Sequence, residues 1–165
     1  TTLFRSCDEL RKVFGYNGKR KLENHIIGGK VDMTDTLPIQ TGLREFCEEL
    51  NYRHENMSIE DTTKVLIDNF ENCKKLSWDL CVSVQKKLIN KFYVINIDTM
   101  DNMELKNELL EFLLSWGKTK DSVLERVYFW KETDEKPKDQ STLLKSFIDN
   151  LPKEQELNAL RGFNV

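Results

Sequence analysis

Residues 28–52 read GGKVDMTDTLPIQTGLREFCEELNY, and this stretch holds the residues on which fold and chemistry turn. Pro38 suits the first turn of a helix, where its missing N–H has no partner to lose. Asn51 suits the left-handed residue that closes one. Between them Ile39, Leu43, Phe46, Cys47 and Leu50 share an arc of about 100°, a core-facing stripe. Glu45, Glu48 and Glu49 fall on nearly the opposite side. Three carboxylates at i, i+3 and i+4 repel by about 0.2–0.5 kcal/mol per close pair. They also lie toward the helix C-terminus, where the dipole disfavours anions. Two readings stand side by side. One is a solvated acidic face. The other is a set of hard oxygen ligands for Mg²⁺ or Mn²⁺, which bind through a few carboxylates and a substrate phosphate. The Gly28-Gly29-Lys30 segment just upstream favours the second.

Outward from this helix the pattern alternates. Residues 7–14 predict a short helix with Leu10, Val13 and Phe14 on one side, followed by a basic turn over 15–20. Residues 22–31 read as a strand interrupted by Gly28-Gly29, and 64–69 as another strand. Residues 79–85 and 88–97 predict a hairpin around Lys86-Lys87. Residues 103–116 form a strongly apolar helix stopped at Gly117. The β-branched and aromatic run 123–131 reads as a strand, and 132–140 as a charged loop. Ser141 then caps a helix carrying Leu143, Leu144, Phe147, Ile148 and Leu151, ended by Pro152. A last short helix begins near Lys153. The fold class expected is α/β or α+β in a single domain over residues 1–165.

Composition narrows the function classes. The chain has 165 residues, long enough to bury a real core, with 39% hydrophobic and 32% charged residues, unlike a disordered chain. No apolar run approaches the length of a membrane span, and residues 1–14 lack the apolar centre of a signal peptide. The formal net charge of -3 gives no bulk attraction for nucleic acid, and no DNA partner is expected. Cys7, Cys47, Cys73 and Cys81 have no C-x-x-C spacing, and only His25 and His54 are available as further soft ligands. A structural zinc site is therefore not expected, and the cysteines read as reduced, mostly packed thiols.

The Gly-Gly-Lys segment and the R-E-F-C-E-E helix together resemble the Nudix hydrolases, whose signature runs G-x5-E-x7-R-E-U-x-E-E-x-G-U with U apolar. Gly29 stands at the first Gly and Asp35 at the first Glu. Arg44, Glu45, Phe46, Glu48, Glu49 and Tyr52 follow. The spacer from Asp35 to Arg44 is one residue longer than the pattern, and Asn51 replaces the last Gly. More loosely, residues 8–151 resemble the Nudix enzymes of large DNA viruses, among them poxvirus decapping enzymes and related baculovirus proteins. Glu9, Leu10, Arg11 and Phe14 carry that likeness, with the run from Lys87 to Tyr93 and the final strand-then-helix order. The strands that open that fold are not evident before residue 8, and the chain begins at Thr1, so an N-terminal portion is expected to be missing.

This resemblance implies a mixed β-sheet between helices, with extra helical elements at the ends of the chain, and Mg²⁺ or Mn²⁺ as cofactor. It implies that Glu45, Glu48, Glu49 and the Gly29 carbonyl are metal ligands, with Glu45 or Glu48 alternatively the base, and that Arg44 orients a carboxylate. Glu104, Glu108 and Glu111 are candidates for a base supplied late in the chain, against a plain solvated face. Lys30 is either a phosphate contact or an exposed strand-end lysine. Tyr52, Trp78, Phe92, Tyr93, Trp116, Phe129 and Trp130 include rings able to stack a base, though most are expected in the core. The implied partner is a nucleotide or a capped RNA 5′ end, in the cytoplasm of an infected cell. The implied reaction is mRNA decapping that releases m7GDP. ADP-ribose or dinucleoside polyphosphates are alternative substrates, and a non-catalytic nucleotide- or protein-binding module is the alternative to an enzyme.

Overall fold

The computed structural model describes residues 23–85, 88–120, 124–130 and 134–161. The helix expected over 7–14, the basic turn over 15–20, Cys7 and the Lys86-Lys87 turn lie outside the described residues. In chain order the elements are α1 (Pro38–Leu50), α2 (Ile59–Phe70), β1 (Lys75–Ser83), β2 (Leu88–Ile95), α3 (Met103–Leu114), α4 (Thr142–Asp149) and α5 (Glu154–Arg161). Short 3-10 turns sit at His54–Asn56 and Ile97–Thr99. The described residues are thus mixed helix and strand, an α+β arrangement.

Helix α1 has the bounds its sequence predicts. Pro38 opens it, and Asn51 closes it in the left-handed conformation with φ 52°. The Tyr52 amide donates back to the Cys47 carbonyl at 2.9 Å, so the exposed helix end is satisfied. The stripe predicted for the core is where it belongs: Leu43, Cys47 and Leu50 are buried. Leu43 and Cys47 join Leu66 and Phe70 of α2, Leu105 and Leu109 of α3, and Met100 in one cluster.

Three strand expectations fail, each for a physical reason. Residues 64–69 lie inside α2. The run Val65-Leu66-Ile67 suits a strand by composition alone, but Ser58 caps a helix here by accepting from the Asp61 amide at 3.1 Å. Thr62, Leu66 and Phe70, at four-residue spacing, then bury one face. Within the predicted strand 22–31, the described residues form no strand. Their only pairing is an isolated parallel bridge between Asn24 and Gln140. Gly28, Gly29 and Lys30 instead lie against α1, where their backbone meets the Glu49, Glu45 and Arg44 side chains. Residues 124–130 are likewise irregular, with Tyr128 and Phe129 exposed and the Trp130 indole donating to the Glu135 carbonyl.

The expected hairpin is present, with β1 beginning four residues earlier than its sequence reading. β1 and β2 pair antiparallel, with Trp78 opposite Phe92 and Asp79 opposite Lys91, and a bulge between Cys81 and Ser83. Phe147 of α4 stacks on Trp78 with ring centres 5.6 Å apart and meets Phe92 edge-on at 5.5 Å. That trio joins the hairpin to the C-terminal helices. Among the described residues the sheet has these two strands, not the larger mixed sheet expected. Ser141 caps α4 as predicted, and α3 ends at Leu114, before Gly117. No described helix is long and apolar enough to cross a membrane.

Candidate active site

Helix α1 does not present its glutamates to water as a solvated acidic face would. Glu45 and Glu49 are buried, 2% and 4% exposed, while the Glu48 side chain stays about a third exposed. Among the described residues, Gly28 and Gly29 lie against the two. The Gly28 backbone hydrogen-bonds the Glu49 carboxylate, and the Gly29 backbone presses against Glu45. Burial, reinforced by the neighbouring charge of Glu45, pushes Glu49 up from the ordinary 4.5 to about 7. Burying two carboxylates one helical turn apart is costly in a fold with no use for them, and a carboxyl raised as Glu49 is belongs to a kind of group that concentrates at functional sites.

Gly29 is required by this contact. A Cβ at that position would fall on the Glu45 carboxyl group, whereas one at Gly28 meets nothing within 4 Å. Gly29→Ala is therefore expected to displace Glu45 and to lower the melting temperature. Gly28→Ala, measured beside it, should leave the melt unchanged.

Arg44 organises the cluster. Its Nε and Nη2 donate to the Asp35 carboxylate at 3.1 and 3.0 Å, and Nη2 also donates to the Lys30 carbonyl at 3.1 Å. Its Nη1 donates to Glu45 Oε1 at 3.1 Å and to both Glu48 oxygens at 3.2 Å. Asp35 is held from three sides, since the Thr41 hydroxyl at 2.9 Å and the Asp32 amide at 2.8 Å also donate to it. The Arg44 hydrogen bonds are the largest influence that brings the Asp35 carboxyl down to about 2. Asp35 and Thr41 thus have roles that the helix pattern alone does not show. The longer spacer before Arg44 obscures which group Asp35 holds, and no local pattern marks Thr41.

The other sequence candidates are dispersed. The Lys30 side chain is exposed, and its backbone is the part tied into the cluster. Tyr52 is 2% exposed and packs edge-on against Phe112 at 4.9 Å, so its ring is core and not a surface for stacking a base. Trp78 and Phe92 are spent on the hairpin trio, and the Trp116 indole donates to the Leu50 carbonyl at 2.9 Å, bracing the end of α1. Phe129 keeps 60% of its surface exposed.

Of the late candidates, Glu104 and Glu111 are exposed, and only Glu108 is engaged. Its Oε1 accepts from the Tyr52 hydroxyl at 2.6 Å and lies 3.0 Å from His54 Nδ1. Partial burial pulls Glu108 upward, but the Tyr52 and His54 hydrogen bonds outweigh it and leave the carboxyl below its ordinary value. Glu108 therefore meets the exit of α1 on its core side, away from the face that carries Glu45 and Glu49. Tyr52→Phe should cost about 1 kcal/mol in urea denaturation, the scale of one partly solvated charge-assisted hydrogen bond. Cys47 is fully buried and its thiol is pushed up to about 11 by burial, which suits packing and not nucleophilic attack.

The donor set on this face of α1 is all oxygen, which fits a hard divalent cation in kind. In arrangement, no three His, Cys, Asp or Glu side chains among the described residues converge as a ready ligand group. The Arg44 guanidinium stands between Glu45 and Glu48. Compared with known proteins, the chain matches no family model, no curated protein and no solved structure.

Proposed function

We propose that this chain is a divalent-metal-dependent pyrophosphohydrolase of the Nudix type, acting on a nucleoside-diphosphate-linked substrate. The observation that carries this reading is the buried pair Glu45 and Glu49 against the Gly28-Gly29 backbone, within the R-E-F-C-E-E helix. Bound Mg²⁺ or Mn²⁺ would neutralise phosphoryl charge and acidify an attacking water. Glu45, Glu49 and the Gly29 carbonyl are the groups that would hold it. Glu48, the most exposed of the three glutamates, is the one that reaches solvent and suits proton removal from that water. Arg44, fastened to Asp35, fixes where Glu45 and Glu48 stand, and its planar fork does this better than a lysine would.

For the substrate, the viral resemblance favours the mRNA cap, with m7GDP as product, and ADP-ribose or dinucleoside polyphosphates come second. Turnover of capped RNA, ADP-ribose, diadenosine polyphosphates and nucleoside triphosphates with Mg²⁺ and Mn²⁺ tests both levels. Cap release that needs an RNA body supports decapping, turnover of free ADP-ribose alone overturns it, and no turnover of any of them overturns the enzyme reading. A second reading, a non-catalytic nucleotide- or protein-binding module, is favoured by one observation: Arg44 already pairs with Glu45 and Glu48.

A further inference from the structure

The turn that leads from α1 into α2 carries a backbone cost. Glu55 (φ 48°) and Asn56 (φ 58°) both adopt the left-handed conformation. Asparagine tolerates it, whereas glutamate gains no local hydrogen bond in return. Such strain persists where surrounding contacts over-determine it. Here those contacts centre on His54. Its amide donates to the Thr62 hydroxyl of α2 at 3.0 Å, and its carbonyl accepts from the Met57 amide at 2.8 Å. Its partly buried ring lies between two carboxylates. Nδ1 is 3.0 Å from Glu108 Oε1 of α3, and Nε2 is 3.7 Å from Oε1 of the exposed Glu55.

The acceptors fix where the protons sit. Partial burial pulls Glu108 upward, and the Tyr52 and His54 hydrogen bonds pull it further down, so it is ionised near neutral pH. An ionised carboxylate only accepts, so Nδ1 carries the proton of the neutral ring. That leaves the Nε2 lone pair toward the Glu55 carboxylate, an unfavourable contact. A second proton, on Nε2, turns it into an ion pair. Among the described residues, the groups facing His54 are Glu108 of α3, with the Tyr52 hydroxyl on the same oxygen, Thr62 of α2, and Glu55. The neighbouring Arg53 guanidinium donates to the Met57 carbonyl at 3.5 Å.

We propose that His54 is a pH-operated latch on this turn: protonated, it clamps Glu55 to Glu108 and so to α3, and neutral, it keeps Glu108 but releases Glu55. Imidazole changes charge between about pH 5 and 8, so the latch closes on the acid side of that range and opens on the other. Opening loosens the joint between the end of α1 and the Ser58 cap of α2. The latch needs neither metal nor substrate and stands independently of the hydrolase reading.

Amide hydrogen exchange and NMR titration of the whole metal-free chain, over about pH 5 to 8, test this. With exchange corrected for its intrinsic pH dependence, protection of the Met57 amide should fall roughly two- to fivefold as pH rises, the scale of one exposed ion pair. The Glu55 carboxyl carbon should shift with the same midpoint as the His54 Cε1–H signal. Constant Met57 protection, or a Glu55 midpoint unlike that of His54, overturns the latch. His54→Gln can still donate to Glu108 but does not titrate, so its Met57 protection should stay level across the range. Glu55→Gln should flatten most of the dependence. A wild-type dependence in either variant overturns the proposal. The wild-type midpoints decide the matter even where a variant does not fold.

Discussion

On the proposed reading, Glu49→Gln is expected to lower Mg²⁺-dependent hydrolysis by on the order of 10²–10³-fold, the cost of removing one preorganised group from such a site. The same change should stabilise the metal-free protein at alkaline pH. Glu49 is raised from 4.5 to about 7 in the fold, chiefly by burial. A carboxyl raised by folding favours the protonated form, so its contribution to stability is greatest below about pH 4.5 and is lost as pH rises to about 7. Glutamine stays neutral throughout. The variant should therefore match the wild type near pH 4 and exceed it above pH 7 by up to about 3 kcal/mol. Denaturant melts at the two pH values, paired with activity assays, check both halves. Loss of activity together with loss of stability would make Glu49 a packing residue.

Asp35→Asn has the opposite pH signature. Asp35 is brought from 3.8 down to about 2, first of all by the Arg44 hydrogen bonds, and its side chain is 1% exposed. A depressed carboxyl contributes stability above its ordinary pKa and loses it as pH falls through the folded value. The variant should be weaker than the wild type by about 2 kcal/mol from pH 5 upward, with the gap closing toward pH 2. Chemical denaturation across pH 2–7 reads this directly. A gap independent of pH would mean that Asp35 acts through shape and its Thr41 contact, not through charge.

Local signals made the centre of this fold legible. Pro38, Asn51 and a stripe at helical spacing bound α1, and Ser141 with Pro152 bounds the α4 region, because caps and periodicity act within a few residues. The same locality explains the misses. The run Val65-Leu66-Ile67 is too short to show a period, and the Ser58 cap lies well upstream of it. Residues 124–130 have strand-like composition, but a strand needs a partner, and composition cannot supply one. Tyr52 reads as available for a ligand because nothing nearby in sequence announces Phe112 or Glu108.

The site divides along the same line. The sequence alone determined which residue types share a face of α1: the order R-E-F-C-E-E and the helical period place Glu45, Glu48 and Glu49 opposite the core stripe. Only the tertiary structure decided that Glu45 and Glu49 are buried while Glu48 is not, and that Asp35 anchors Arg44. The reason is physical. Periodicity assigns direction around one helix axis, but burial and ion pairing depend on which other segment crosses that face. Here the Gly28-Gly29-Lys30 backbone does so, and at Gly29 the lack of a Cβ lets it come close to Glu45.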